Sequence, residues 1–146
     1  MIAVLADTQE RLEQCLAVRG KVFVDEQQVP PDLEIDGYDA SPEACRHWLV
    51  LDGSEPAAAG RWIPYGDGQA KLQRIAVYKH YRGQGLGKLL VEAMERDAAE
   101  RGCAEAILDA QVQAEPFYKK LGYRTISEET FLDAGIEHVR MSKRIG

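Results

Sequence analysis

The sequence predicts an α/β domain with one mixed, mostly antiparallel sheet and helices on both faces. Three observations carry that reading. Leu72 to Gly87, LQRIAVYKHYRGQGLG, runs from an apolar strand through an arginine-led, glycine-spaced loop into a helix. Short apolar runs of strand length alternate with amphipathic stretches of helical period on either side of it. The chain then closes with a short helix and two strand-like segments. A chain of 146 residues can bury one full core, so a single domain over 1–146 is expected.

The elements follow in order. Ile2 to Leu5 reads as a first strand. A helix from about Thr8 to Val24 places Leu12, Leu16, Arg19 and Phe23 on one face. Gln27 to Ser41 is the one long non-periodic stretch. It is acidic and holds Pro30 and Pro31, so it is a loop or carries a short helix, and long loops in compact domains are usually functional. His47 to Asp52 and Ala57 to Tyr65 read as strands, the second turning at Gly66-Asp67-Gly68 into the strand Ala70 to Val77. Leu86 to Arg101 is an amphipathic helix with Leu86, Leu89, Leu90, Ala93, Met94 and Ala98 on the apolar side. Glu92 and Arg96, and Asp97 and Arg101, are spaced for ion pairs on its wet side, and Gly102 stops it. Ala104 to Ala110 reads as a short buried strand. Pro116 opens a short helix through FYKKL that Gly122 closes. Arg124 to Phe131 and Glu137 to Lys143 read as a final antiparallel pair.

Composition excludes several classes. The net charge is −6, and no basic patch with interleaved aromatics is present, which argues against nucleic acid as a partner. Acidity of this kind favours a cationic substrate by steering. No apolar run reaches the roughly 18 residues of a membrane span. MIAVLADTQ lacks the basic flank and cleavage site of a signal peptide. Cys15, Cys45 and Cys103 are widely spaced with no C-x-x-C, so no metal is expected, and reduced thiols in a cytoplasmic protein are.

The glycine loop is an anion cradle whose kind follows from spacing. Gly83, Gly85 and Gly87 remove side chains at alternate positions, and a helix N-terminus points its free N–H groups at them. Arg82 adds a positive fork suited to phosphate. A Walker A loop would need glycine at Arg82 and a hydroxyl at Leu89. A dinucleotide loop would need glycine at Lys88. What remains, Arg-Gly-x-Gly-x-Gly after Ile75-Ala76-Val77, resembles the coenzyme A pyrophosphate loop of the GNAT superfamily, the GCN5-related N-acetyltransferases. AEPFYKKLGY is similar to that superfamily's A-x-x-F-Y-x-x-x-G-F/Y signature. Val22-Phe23-Val24-x-Glu26-Gln27-x-Val29-Pro30, Glu34-x-Asp36, Asp39, His47 and FLDAGIEHVRM resemble its small bacterial ElaA/YjcF-like branch. The resemblance covers essentially the whole chain.

The resemblance implies the GNAT fold, acetyl-CoA as co-substrate, and direct transfer of its acetyl group to a small-molecule amine or protein amine. The alternative is a non-catalytic sensor module that binds acetyl-CoA or CoA. Monomer and homodimer both stay open. By resemblance, Arg82, Gly83, Gln84, Gly85, Leu86 and Gly87 hold the pyrophosphate through backbone N–H groups. Main-chain groups of Ile75, Ala76 and Val77 serve the acetyl carbonyl and the pantetheine. Tyr118 matches the family tyrosine near the coenzyme sulfur, and the similar acidities of phenol and thiol make it the expected acid. The strand position that carries a glutamate base in some members is Lys71 here, and Gln73 shares its face. The base is therefore sought among Glu26, Glu34, Asp36, Asp39 and His47, with Glu26 first. The acidic loop is expected to border the acceptor pocket together with Gln73. His47 needs the least pKa tuning and suits a hydrogen-bonded core histidine equally.

Overall fold

The computed structural model describes every residue from Met1 to Gly146. Along the chain lie β1 (Ile2–Leu5), α1 (Gln9–Arg19), α2 (Pro31–Glu34), β2 (Arg46–Asp52), β3 (Glu55–Pro64), β4 (Gln69–Val77), α3 (Leu86–Glu100), β5 (Glu105–Gln111), α4 (Glu115–Lys120), β6 (Arg124–Thr125), β7 (Phe131–Asp133) and β8 (Ile136–Arg144). They build one 8-stranded sheet ordered β1-β2-β3-β4-β5-β8-β6, with β7 paired to β8. The β4–β5 pair alone is parallel, with α3 as its crossover, because parallel neighbours need a long connection. The expected mixed, mostly antiparallel sheet is the observed one.

Strand alternation divides the core. Leu49 and Leu51 of β2 pack with Cys15, Val18 and Val22 on the α1 side. Val50 between them packs with Leu90, Val91 and Met94 of α3 on the other face. Thr8 caps α1 by accepting the Arg11 N–H at 3.2 Å. The chain does not leave the helical path at Arg19. It widens into a π-helical turn over Gly20–Glu26, so the helix expected to reach Val24 does so with changed geometry. That turn carries Val22 and Phe23 to the mouth of the main cleft.

Two expectations need correction. Asp97 is buried, not on the wet side of α3. It accepts two bonds from Arg46 (3.0 and 2.8 Å) and one from each indole N–H, Trp48 at 3.0 Å and Trp62 at 2.8 Å. It thereby pins α3 to β2 and β3. Arg124 to Phe131 is not one strand. It breaks into β6 and β7 around an exposed Glu128-Glu129-Thr130 segment. Ala134 (φ 52°) and Gly135 (φ 77°) then form the two-residue turn into β8, a conformation that fits the twist of a hairpin.

Candidate active site

The site begins where the sheet comes apart. β4 and β5 pair from Gln69↔Glu105 to Leu72↔Leu108 and no further. Beyond that point β4 stays with β3 as far as Val77, and β5 stays with β8 as far as Gln111. The divergence coincides with a bulge, marked by a register shift opposite Ala59 to Arg61 and by Arg74 at φ 57°. A left-handed arginine is costly. Its compensation is visible: the Arg74 guanidinium donates to the carbonyls of Leu33 (3.2 Å) and Glu34 (3.0 Å), at the end of α2. The resulting wedge is a cleft of about 680 Å³. Ile75, Ala76 and Val77 form one wall, and Ala110, Gln111 and Tyr118 stand on the other.

The glycine loop opens at the end of this wedge. Gly83 (φ 80°) and Gly85 (φ 82°) are left-handed, and Gly85 caps α3. A Cβ at either position would meet nothing within 4 Å, so these glycines serve the backbone path and leave open space. Gly87 differs. A Cβ there would lie 3.0 Å from Phe117 Cζ, so its absence lets α4 pack against α3. The first N–H groups of α3 have no partner within the helix and face the loop side with the positive end of the dipole. Arg82 Nε donates to the Val77 carbonyl at 3.1 Å, and Nη2 to Glu26 Oε2 at 2.9 Å. The residues present fit coenzyme A: a cradle of free N–H groups, then a slot between two unpaired strand edges.

Tyr118 lies on α4 in T-shaped contact with Phe117 and Tyr123. It is 8% exposed and lines the cleft. Burial raises its pKa well above that of a free phenol. The expected match between phenol and thiol acidities therefore does not hold here. The hydroxyl stays protonated throughout the neutral range and is a permanent hydrogen-bond donor.

Three carboxylates of the acidic loop, Glu34, Asp36 and Asp39, are committed to arginines. Buried Arg19 donates from Nε to Glu34 at 2.7 Å, and from Nη1 and Nη2 to Asp39 at 2.7 and 3.0 Å. Arg61, also buried, donates to Asp36 through both terminal nitrogens at 2.7 Å, to Asp39 at 2.9 Å and to Gln73 at 3.1 Å. Buried ions persist only when paired in this way. Asp39 is held down at about 2 against its own burial, chiefly by Arg19, and the Arg61 bond lowers Asp36. Glu34 and Gln73 line the cleft, whereas Asp36 and Asp39 do not. The loop does border the pocket, but as a neutralised ion-pair lattice rather than a free negative surface. Arg19, which shares a helical face with Leu12, Leu16 and Phe23, is the centre of that lattice.

Two candidate bases fall elsewhere. Glu26 does not line the cleft. It braces Arg82 and faces a separate hollow beside Tyr78 and His80. His47 is fully buried in the core, with Nε2 2.8 Å from the Tyr38 carbonyl, and burial lowers its pKa. It is the core histidine of the two readings.

Sequence reasoning missed four cleft residues. Asp109 of β5 takes Lys71 at 3.3 Å and Arg140 at 2.8 Å. Gln111 and Gln27 join their side-chain amides at 2.8 Å, linking β5 to the end of the π-helical turn. His138 lines the cleft from β8. The one available signal was FLDAGIEHVRM, where alternation sets His138 on the face opposite Val139.

Comparison with known proteins places the chain in a family. The acetyltransferase (GNAT) domain model matches residues 40–145. The uncharacterized N-acetyltransferase YjcF of Bacillus subtilis (strain 168) is 48% identical over 143 residues, covering 98% of this chain and 99% of the relative. The crystal structure of Escherichia coli ElaA superposes with TM-score 0.83 at 25% identity, covering 98% of this chain and 99% of that one. A crystal structure of aminoglycoside 6'-N-acetyltransferase complexed with coenzyme A has TM-score 0.74 at 18% identity over 99% of this chain and 97% of the other, a likeness of fold.

Proposed function

Because the chain belongs to the acetyltransferase (GNAT) domain family, we propose that it is an enzyme moving the acetyl group of acetyl-CoA directly to an amine acceptor. The observation that carries this reading is the parted β4–β5 pair running into the left-handed glycines at the N-terminus of α3.

In this reading, Arg82 to Gly87 hold the pyrophosphate through main-chain N–H groups, with Arg82 itself braced by Glu26. Strand edges of Ile75 to Val77, left without β5 partners, carry the pantetheine amides and polarise the acetyl carbonyl. Acetyl-CoA supplies the activated acyl group. The Tyr118 hydroxyl donates a hydrogen bond to the departing sulfur, a charge-assisted bond in a dry setting. Gln73, fixed by Arg61, and the α2 end, fixed by Arg74, shape the acceptor side. The carboxylates there are neutralised by arginine, so the acceptor is selected by shape and neutral hydrogen bonding more than by charge.

The test uses the wild-type chain. Calorimetry should show acetyl-CoA binding and no comparable binding of ATP or NAD. Thiol release should then follow addition of one of a panel of amines: spermidine, an aminoglycoside, a lysine peptide and hydroxylamine. Binding without any release above the uncatalysed rate would favour a sensor module, and absence of binding would overturn the coenzyme site.

A further inference from the structure

We propose that His138 is the general base of this acyl transfer. The inference rests on the acetyltransferase reading above and assigns the group which that reading lacks.

Four observations point to it. His138 is 8% exposed and lines the cleft. Its Nδ1 lies 2.7 Å from the Ile136 carbonyl oxygen, and a carbonyl can only accept, so Nδ1 carries the proton. The neutral ring therefore holds its lone pair on Nε2. That atom makes no hydrogen bond within the protein and is not fully buried. Finally, the ring is stacked on Phe131 with centroids 6.0 Å apart and planes 22° from parallel, which holds its orientation.

Position strengthens the case. Val139, next to His138, packs in the same core cluster as Ala110 and Tyr118. Alternation along β8 therefore turns His138 to the opposite face of the sheet from Tyr118. The two side chains reach one cleft from its two faces, which leaves a path for an amine on one side and a departing thiolate on the other. Of the cleft carboxylates, Glu34 is held by Arg19 and Asp109 by Lys71 and Arg140, while Asp133 stands exposed at the end of β7.

The step balances. The amine nitrogen's lone pair forms the new C–N bond at the thioester carbonyl carbon while one N–H proton passes to His138 Nε2. The C–S bond then breaks with its electron pair on sulfur, which leaves as a thiolate held by the Tyr118 hydroxyl. The imidazolium returns its proton to solvent, and solvent protonates the thiolate.

The charged groups that line the same cleft are Glu34 of α2, Lys71 and Arg74 of β4, Arg82 of the loop, Asp109 of β5 and Asp133 of β7. The pH profiles of wild type and H138N, compared at constant concentration of unprotonated acceptor, separate His138 from these groups.

Hydroxylamine, a small nucleophile that makes little demand on pocket shape, serves as acceptor, with free thiol as readout. H138N keeps an N–H for the Ile136 carbonyl and removes Nε2. It should bind acetyl-CoA within about twofold of wild type, lose roughly a hundredfold or more in kcat, and lose the acid limb. H138A should regain rate with added imidazole. If H138N keeps its rate and pH profile, or imidazole fails to rescue a folded H138A, the base lies elsewhere. The wild-type protein gives an independent check should both variants misfold. Nitrogen-15 spectra of its imidazoles must show the Nδ1–H tautomer at His138, and an Nε2–H tautomer overturns the assignment. Wild type that binds acetyl-CoA yet releases no thiol with any amine refutes the transferase reading itself, a result no variant is needed to recognise.

Discussion

Replacing Asp39 by Asn tests whether the lattice beside the cleft is held by charge. Asp39 has a fully buried side chain and accepts from Arg19 at 2.7 Å and Arg61 at 2.9 Å through one oxygen. The other oxygen accepts from Arg19 and from the Asp36 N–H, both at 3.0 Å. Asparagine keeps the size and one acceptor but sets an NH₂ donor against guanidinium donors. The carboxyl group is depressed from its ordinary 3.8 to about 2. At about 1.4 kcal/mol per unit, that shift corresponds to roughly 2–3 kcal/mol of folding stability. Leaving two buried arginines short of a counterion adds to it, so D39N should lose about 3–5 kcal/mol at neutral pH. The sign is fixed by linkage. A depressed folded-state value means stabilisation that is complete above the unfolded value of 3.8 and is lost as pH falls toward about 2. Urea unfolding, followed by fluorescence of Trp48 and Trp62, should therefore show a wild-type-to-variant gap that narrows on acidification. A gap below about 1 kcal/mol at neutral pH, or one that does not change between neutral pH and pH about 3, refutes the argument.

Three further outcomes are expected. G85V forces a β-branched residue into a left-handed backbone where nothing obstructs its side chain, so the chain should still fold while acetyl-CoA affinity in calorimetry falls at least about tenfold. Y118F removes the donor to sulfur and should lower kcat by roughly ten- to a hundredfold with coenzyme affinity unchanged, since a hydrogen bond to a charged group is worth about 1.5–3 kcal/mol; an equal rate would leave Tyr118 as packing only. E26Q weakens a partly exposed ion pair to Arg82, so it should change the KM for acetyl-CoA by no more than about fivefold, and a lost acid limb in its pH–rate profile would restore Glu26 as the base.

What could be read from the chain follows from the physics behind each residue. The glycine loop was legible because its requirement is a backbone path, and a left-handed turn at a helix start leaves its mark in residue type. The sheet was legible from alternation, as Leu49, Val50 and Leu51 illustrate. The parting of β4 from β5 was not, because nothing in LQRIAV says that pairing ends at Leu72 or that Arg74 turns left-handed. Arg19, Arg61 and Asp97 misled or stayed silent for one reason. A charged residue signals solvent until its partners are known, and those partners lie 12 to 51 positions away. The two strand histidines differ only in surroundings: His47 is closed over by Tyr38, while His138 stands where the sheet has opened.

The open wedge also has a consequence for the protein's lifetime. Strand edges that have lost their neighbour leave backbone groups free to pair with a bound molecule. A molecule that binds only the folded chain adds RT ln(1 + [L]/Kd) to its stability, about 2.7 kcal/mol at a hundredfold excess over Kd. Persistence against proteases would then rise and fall with coenzyme supply, so that starvation for acetyl-CoA would thin the population of the protein that consumes it.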